Sequence, residues 1–235
     1  MIHSENCIPI LTIDGPSGAG KGTISQYIAA KLQWHYLDSG AVYRSLAWVA
    51  LQSGVLAGNE DRLIDLAKNL TLICKLREDD TAEIEVNGEV VNEQLRTEET
   101  GEIASKIAKI PRVRSELLAM QQRSAQLPGL VADGRDMGTV VFPNALIKVF
   151  LTASAEVRAQ RRFEQLQSKG FDVSIARLLE TIQARDARDS SRSASPLRPA
   201  DDAIVIDTSS LSIEEVNSQV LGLVKQRLAL SSEEG

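Results

Sequence analysis

The chain contains few of the residues that build metal sites and disulfide frameworks. Its 235 residues include two cysteines and two histidines. Cys7 and Cys74 lie far apart in the sequence, which is typical of free thiols in a reducing compartment. Two histidines, His3 and His35, do not suffice for a zinc site. We therefore expect neither a disulfide framework nor a zinc ion.

An excess of positive charge and long apolar runs are also missing. The formal net charge is −6, and a surface of that sign repels nucleic acids and anionic membranes. No run approaches the roughly 20 apolar residues that span a bilayer. The N-terminal residues lack the basic start and apolar core of a secretory signal. These absences predict a cytoplasmic protein without nucleic-acid or membrane partners.

The apolar residues that are present predict an α/β fold. A hydrophobic content of 43% suffices for a packed core, and this length fits one domain with insertions. A short apolar run at residues 8–13 precedes a glycine-rich turn and a helical pattern with Ile24 and Ile28 on one face. Further short apolar runs lie at 130–132, 147–151 and 203–206. Short, largely apolar runs of this kind are typical of strands buried on both faces of a parallel sheet.

Local signals mark where several helices begin and end. Pro111 starts a helix that we expect over residues 111–126. Ser154 can cap a helix that runs up to Gly170, where glycine supplies a stop. Residues 212–215 form a capping box at the start of the last helix.

One segment breaks the alternation of strands and helices. Residues 70–91 alternate apolar and polar side chains, and Asn87-Gly88 between them is the strongest short hairpin signal. This pattern predicts a small antiparallel sheet inserted into the α/β fold and continued by a helix at 98–109. The expected division of the chain is a core at 1–66, 107–157 and 186–235, an insert at 67–106 and a lid at 158–185.

A glycine-rich segment between the first strand and the first helix predicts a site for ATP. Its residues are Gly15, Pro16, Ser17, Gly18, Ala19, Gly20, Lys21, Gly22 and Thr23. Glycines let backbone N–H groups converge on phosphates, and the positive end of the helix faces the same charge. Lys21 would add a cation near the β- and γ-phosphates, and Thr23 is a candidate ligand for Mg²⁺. Many such loops carry the hydroxyl at the position that Gly22 occupies here. The alternative to an ATP site is that the glycine-rich segment merely joins the strand to the helix.

Arginines are the second group of candidates. An attacking phosphate oxygen is already ionised, so its transfer reaction requires positioning and charge neutralisation rather than a base. Arginine suits both tasks because its fork binds phosphate and keeps its charge. Arg135 follows a predicted strand at the end where α/β sheets place ligands. Arg158, Arg161 and Arg162 recur on one side of a predicted helix, where like charges repel unless an anion such as ATP arrives.

Four segments together resemble those of bacterial cytidylate kinases. They are residues 15–23, 38–44, 132–143 and 185–192, the last followed by Pro196-Leu197. The resemblance covers nearly the whole chain in the same order. It implies a three-layer α/β P-loop kinase with a parallel central sheet, an antiparallel monophosphate-binding insert and a helical lid. It also implies transfer of phosphate from ATP, with Mg²⁺, to CMP or dCMP, and we expect a monomer.

The resemblance also suggests which residues bind the acceptor and which act in transfer. The acceptor phosphate and sugar would be held by Arg44, Arg114, Arg135 and Arg185. The cytosine and ribose would be recognised by Ser105, Asp136, Asp189 and Arg192. Ser39 is a further candidate for the acceptor site. We predict that Lys21, Arg135, Arg161, Arg162 and Arg185 act in phosphoryl transfer, with Arg161 also on ATP. Asp136 and Asp189 could instead be plain partners of arginines, and Ser39 could be a helix cap.

Two other functions remain open from the residues alone. One is a P-loop kinase with a different acceptor, such as UMP, dTMP or a small hydroxyl metabolite. A hydroxyl acceptor would call for a carboxylate base and fewer arginines. The other is a nucleotide-gated binding protein that changes shape on binding ATP without transferring phosphate. The arginine-rich lid weighs against this alternative.

Overall fold

The computed structural model describes residues 8–55, 58–79, 81–168, 170–191 and 195–233, without the side chains of 231–233. The strands are β1 (Ile10–Asp14), β2 (His35–Asp38), β3 (Leu72–Leu76), β4 (Ala82–Val86), β5 (Glu89–Val90), β6 (Leu130–Gly134), β7 (Ile147–Thr152) and β8 (Ile204–Asp207). The helices are α1 (Lys21–Leu32), α2 (Ser39–Gln52), α3 (Glu60–Lys68), α4 (Glu98–Ile107), α5 (Pro111–Arg123), α6 (Ala155–Gln167), α7 (Ile175–Ser190) and α8 (Ile213–Glu233).

Five strands form a parallel sheet in the order β2-β6-β1-β7-β8. Strand β1 lies at its centre, with Asp14 opposite Gly134 of β6 and Phe150 of β7. The residues of β6 are buried along its whole length, as expected for a strand covered on both faces. The predicted parallel sheet is therefore confirmed, and the apolar runs that predicted it are β1, β6, β7 and β8.

Helices cover both faces of this sheet. On one face α1 and α8 bury Ile28 and Val220 in a cluster with Leu11 and Val149 of the sheet. On the other face α2 and α5 contribute Leu46 and Leu117 to a second cluster. The structure thus has the three layers predicted from the sequence, with apolar helix stripes packed on a sheet that is apolar on both sides.

A second sheet is antiparallel, in the order β3-β4-β5. Asn87 and Gly88 both have positive φ, 51° and 86°, which is the backbone of the tight hairpin turn that this dipeptide favours. The hairpin prediction is confirmed. Val86 of this sheet and Ile107 of α4 belong to the same buried cluster as Leu46 of α2, so the inserted segment packs on the sheet core through apolar side chains.

The predicted helix boundaries depend on local hydrogen bonds. Ser154 accepts from the N–H of Val157 at 3.2 Å, and Ser212 and Glu215 exchange the two bonds of a capping box. Both predicted caps are confirmed. Helix α5 begins at Pro111 as predicted but ends at Arg123, with Ser124 as its C-cap, rather than at residue 126.

Several elements were not predicted from the sequence. Strand β2 pairs with β6 at the edge of the sheet, yet its sequence His-Tyr-Leu-Asp contains no apolar run. The helices α2 and α3 were not predicted either, although Asp38 and Asn59 accept the first N–H bonds of these helices and are preferred N-cap residues. Within the described ranges, none of the helices has both the length and the apolar character needed to cross a membrane.

Candidate active site

The candidate site lies where the central strands end. Strand β1 ends at Asp14, and the next six residues turn back into α1. The register places Asp38, at the end of β2, opposite Asp133 near the end of β6. The carboxyl ends of parallel strands meet at one edge of a sheet, which is where α/β proteins bind ligands. The glycine-rich loop and the segment after β6 therefore share one edge.

The glycine-rich loop depends on close backbone contacts. Gly15 has a φ of 149°, and a Cβ at this position would lie 2.0 Å from the carbonyl oxygen of Leu151. Gly20 has a φ of 88° and precedes the first residue of α1. Lys21 begins that helix and donates from Nζ to the carbonyl of Pro16 at 2.9 Å. The loop thus exposes its backbone at a helix N-terminus, as phosphate binding requires.

Charges of both signs act on the Lys21 ammonium group. Burial lowers the pKa of Lys21 to about 8 and the positive charge of Arg135 adds to this, while the negative charges of Asp133, Asp14 and Asp38 act in the opposite direction. Burial also raises the pKa of Asp133 to about 7, and the charge of Asp38 adds to this rise. The Tyr36 hydroxyl donates to Oδ2 of Asp133 at 2.9 Å. A buried carboxylate of this kind favours a nearby cation.

Asp14 and Asp133 were not among the site residues predicted from the sequence. The sequence does contain a signal for both, since each is a carboxylate near the carboxyl end of an apolar strand. Asp14 accepts from the backbone N–H groups of Met137 at 2.9 Å and of Gly138 at 2.8 Å. These two residues start the π-helical turn Met137–Val141 that follows Arg135 and Asp136. Asp14 therefore orients the segment that carries two candidate acceptor residues.

The structure brings most of the candidate acceptor residues together as ion pairs. Arg135 donates from Nε to Oδ2 of Asp189 at 2.5 Å, and Nε of Arg185 lies 3.9 Å from the same oxygen. Arg114 donates to Oδ2 of Asp136 at 2.6 Å. Asp136 and Asp189 are thus partners of arginines, which is the alternative that the sequence left open. Their role in recognising the base is therefore a proposal.

Arg114 is held from several sides, and Arg44 is held by a backbone carbonyl. Arg114 also donates to Oγ of Ser195 at 2.8 Å, and its guanidinium lies 5.8 Å from the centre of the Tyr43 ring. Arg44 donates to the carbonyl of Leu95 at 2.9 Å. Multiple contacts of this kind restrict the orientation of a guanidinium group, which favours selective binding of an anion.

Positive charge accumulates around Arg44. Burial lowers its pKa, Asp38 opposes this change, and the positive charges of Arg135, Arg162 and Arg96 add to it. One nitrogen of Arg135, Nη2, is buried and has no hydrogen-bond partner among the described residues. Like charges placed together in a partly buried site are stabilised by an anion.

Ser39 and Ser105 are placed differently from the arginines. Asp38, not Ser39, caps α2 by accepting from the N–H of Ala41 at 3.0 Å, so the cap alternative for Ser39 is wrong. Ser39 is the first residue of the helix and is buried. A Cβ at Gly134 would lie 3.1 Å from the Ser39 Cβ, so this serine adjoins the end of β6. Ser105 is half-buried on α4.

The three arginines of α6 do not form one exposed cluster. Arg158 is buried and pairs with Asp186 of α7. Arg161 donates to the carbonyl of Thr208 at 2.6 Å, and Arg162 is exposed and donates to Gln165. The prediction that these three charges repel one another until an anion arrives is therefore wrong for Arg158, because a carboxylate and two carbonyls already compensate it. Arg192 lies outside the described residues.

The residues present fit a Mg²⁺ ion that is shared with a phosphate chain. Within the described ranges, no group of three or more histidine, cysteine or acidic side chains could hold a metal alone. Mg²⁺ needs fewer, because it takes one or two carboxylates together with water and substrate phosphates. A Cβ at Gly22 would lie 3.6 Å from Oδ2 of Asp133, so that carboxylate lies beside the first turn of α1. Thr23, in the same turn, is exposed.

Phosphoryl transfer between nucleotides requires positioning of the two nucleotides and neutralisation of their charge. The site meets these requirements with a phosphate-binding loop and a group of guanidinium side chains. The fold and the site together define a P-loop phosphotransferase. Comparison with known proteins gives the family. The family model described as cytidylate kinase matches residues 11–226, so the chain belongs to the cytidylate kinase family.

Individual relatives agree with this assignment. A cytidylate kinase of Photobacterium profundum is 54% identical over 224 residues, covering 95% of this chain and 98% of the relative. One of Shewanella frigidimarina is 55% identical over 224 residues, with the same coverage. Among solved structures, an uncharacterized protein from Eubacterium ventriosum has a TM-score of 0.50 at 13% identity, covering 94% of this chain and 99% of that one, which shows a similarity of fold alone.

Proposed function

We propose that this protein transfers the γ-phosphate of ATP to CMP or dCMP and releases ADP with CDP or dCDP. The observation that carries the proposal is that the phosphate-binding loop after β1 and Arg135 after β6 lie at one edge of the sheet, since the register places Asp14 opposite Gly134. Two polyanions must approach each other in this reaction, and the site supplies fixed positive charge for both. Membership of the cytidylate kinase family supports the choice of CMP as acceptor.

On the ATP side, the backbone N–H groups of residues 15–20 and the start of α1 would bind the phosphates. Lys21 would leave the Pro16 carbonyl and neutralise charge on the transferring group. Asp133 and Thr23 are the residues that would hold Mg²⁺, which neutralises phosphate charge when bound. Arg161, beside Thr208, would contact ATP, and Arg162 would contact the transferring group.

On the acceptor side, Arg44, Arg114, Arg135 and Arg185 would hold the phosphate and sugar. Because the attacking oxygen is already ionised, no side chain has to remove a proton. The arginines would keep this oxygen in line with the γ-phosphate while they compensate its charge. An acceptor phosphate would replace part of the charge that Asp189 now supplies to Arg135.

Selection of cytosine would depend on Ser105, Asp136, Asp189 and Arg192, with Ser39 adjoining them. A carboxylate accepts from the cytosine amino group, and serine or arginine donates to its ring nitrogen and carbonyl. Uracil reverses two of these positions and would leave buried polar groups unpaired, which costs about 1–3 kcal/mol per group. Asp136 would perform this task while it keeps its contact with Arg114.

Two segments would move during the reaction cycle. Residues 67–106 would close on the monophosphate and residues 158–185 would close on ATP, which excludes water and limits hydrolysis. All the proposed groups belong to one chain, so a monomer is sufficient. Cys74 is a free thiol, in keeping with the cytoplasm as the place of action.

The decisive experiment is ADP production from Mg²⁺-ATP with CMP, dCMP, UMP, AMP, GMP and dTMP as separate acceptors. Turnover confined to CMP and dCMP is the expected result. Comparable turnover of UMP would remove the argument for base selection but keep the kinase. No turnover with any nucleotide, together with ATP binding by calorimetry, would contradict the proposal and favour a nucleotide-gated binding protein.

A further inference from the structure

Arg158 connects three parts of the molecule through one buried side chain. It is 4% exposed and lies in the first turn of α6. Its Nε donates to the carbonyl of Ala153, just after β7, at 2.9 Å, and its Nη1 donates to the carbonyl of Ser17 in the phosphate-binding loop at 3.1 Å. A guanidinium that is satisfied on several sides holds its partners in one arrangement.

The third partner of Arg158 is Asp186 of α7. Nη1 and Nη2 donate to Oδ1 and Oδ2 of this carboxylate at 3.0 and 2.5 Å, a two-pronged ion pair. The contact between α6 and the loop is also direct, because a Cβ at Gly18 would lie 3.2 Å from the Arg158 Cβ. The loop, the first turn of α6 and the C-terminal part of α7 are therefore packed and hydrogen-bonded together, at the two ends of the segment 158–185.

Helix α7 carries a second ion pair on the same side. Asp186 and Asp189 are three residues apart and so lie on one face of the helix. Asp186 connects this face to the phosphate-binding loop, while Asp189 binds Arg135 after β6. Arg185 directly precedes Asp186 and lies 3.9 Å from Asp189. The backbone that carries Arg185 is thus held from the ATP side and from the acceptor side.

We propose that Arg158 and Asp186 are positioning residues that couple the phosphate-binding loop to α7 and so hold Arg185 in place for phosphoryl transfer. The part of this proposal that concerns Arg185 rests on the proposed function. Neither residue touches the reacting atoms. Their effect comes through geometry, since a small displacement of a catalytic group can lower the rate by about 100-fold.

The chain offers a matched control for the test. Lys148 of β7 is also a buried cation, donating to the carbonyl of Pro143 at 2.6 Å and to Asp202 at 2.8 Å. Lys148 has one carbonyl partner where Arg158 has two, its carboxylate partner is more exposed than Asp186, and the pair lies outside the proposed site. Asp186→Asn and Asp202→Asn each remove the carboxylate charge beside a buried cation with little change of shape, so they separate loss of an ion pair from loss of position.

Steady-state kinetics with ATP and CMP, corrected for the folded fraction, form the first test. We expect Asp186→Asn to lower kcat about tenfold, the effect of losing a charge-assisted hydrogen bond, with a smaller change in the KM for CMP. Arg158→Lys, which keeps the charge but loses the fork, should act in the same direction. Asp202→Asn should lower the melting temperature without lowering kcat. The proposal would be overturned if both Asp→Asn variants kept the melting temperature and the kcat of the wild type. It would also be overturned if Asp186→Asn had a lower melting temperature but an unchanged kcat.

Amide hydrogen exchange of residues 17–21 supplies a readout that does not depend on turnover. Exchange there should be about tenfold faster in Asp186→Asn than in the wild type or in Asp202→Asn. If wild-type protein transfers no phosphate to CMP, the proposed function fails, and this exchange measurement still decides whether the pair couples the loop to α7. Unchanged exchange in Asp186→Asn would overturn the coupling.

Discussion

Arg135 and Asp189 form an ion pair between the segment after β6 and helix α7, with Nε of the arginine 2.5 Å from Oδ2 of the carboxylate. Asp189 is 2% exposed, so the pair is largely removed from water. The second terminal nitrogen of Arg135 is buried without a hydrogen-bond partner in the described part of the chain. The protein therefore satisfies Nε of this guanidinium through Asp189 and leaves Nη2 without a hydrogen-bond partner among the described residues.

Replacing Arg135 by methionine should weaken binding of the acceptor. We expect the KM for CMP to rise by about 10- to 100-fold, because a hydrogen bond between charged groups contributes about 1.5–3 kcal/mol. The KM for ATP should change little. Arg112, which pairs with Asp61 on the exposed surface, supplies the control variant Arg112→Met, in which both constants should stay at their wild-type values. A wild-type KM for CMP in the Arg135 variant would remove the proposed phosphate contact.

Replacing Lys21 by methionine should mainly affect the chemical step. We expect kcat to fall by at least about 100-fold, as when one charge-stabilising group is removed from a reaction site. Lys31→Met is a suitable control, since Lys31 lies in the last turn of the same helix, over the ring of Tyr27. Single-turnover measurements with ATP and CMP separate this effect from binding. A wild-type rate in the Lys21 variant would contradict its role in transfer.

Asp14→Asn tests the carboxylate that orients the turn after β6. An amide accepts at one atom only, so one of the N–H groups of Met137 and Gly138 would lose its partner. We expect a higher KM for CMP, because the turn that follows Arg135 and Asp136 would lose one of the two contacts that orient it. Acceptor kinetics measure this effect, and an unchanged KM would show that the turn does not depend on Asp14.

The effect of Asp14 on stability should depend on pH. Burial raises its pKa from 3.8 to about 6, so ionisation of Asp14 costs more in the folded protein than in the unfolded chain. Its contribution to stability is present below pH 3.8 and is lost as the pH rises through 6. The free energy of unfolding of the wild type, minus that of Asp14→Asn, should therefore fall between pH 4.5 and 7, by at most about 1.4 kcal/mol per pH unit. A constant or rising value of this difference in urea unfolding would contradict the assignment.

Two glycines of the phosphate-binding loop should differ in their tolerance of alanine. Gly15→Ala would place a methyl group 2.0 Å from the Leu151 carbonyl oxygen, so the loop or β7 must shift. At Gly20 nothing lies within 4 Å, and only the positive φ is unfavourable, at about 1–2 kcal/mol. We expect Gly15→Ala to lower the free energy of unfolding by more than Gly20→Ala, and to abolish activity. Equal losses of stability would mean that the contact with Leu151 does not restrict the loop.

Some of these features were predictable because they depend on neighbours in the sequence. The hairpin at Asn87-Gly88 and the cap at Ser154 rely on the backbone preferences and side-chain bonds of a few successive residues. Strand β2 was not predictable in this way. Its residues become a strand by pairing with β6, almost 100 positions later, and His35 at its start is exposed. Pairing across such a separation overrides weak local preference.

In the candidate site, too, some features depend on neighbours in the sequence and others on distant segments. The spacing of Arg158, Arg161 and Arg162 places them on neighbouring positions of one helix, which follows from the sequence alone. Whether each one faces solvent, a carbonyl or a carboxylate depends on what packs against α6. The structure places the phosphate-binding loop and α7 against Arg158, and Thr208 beside Arg161.

The sequence by itself determined the phosphate-binding loop, the parallel sheet and the resemblance to cytidylate kinases, because glycine placement, apolar runs and motif order are properties of the chain alone. Only the tertiary structure decided which charges are compensated. Asp14, Asp133 and Arg158 acquire their surroundings from segments far away in the sequence, through strand register and helix packing. Electrostatic interactions depend on distance and burial, and these exist only once the chain has folded.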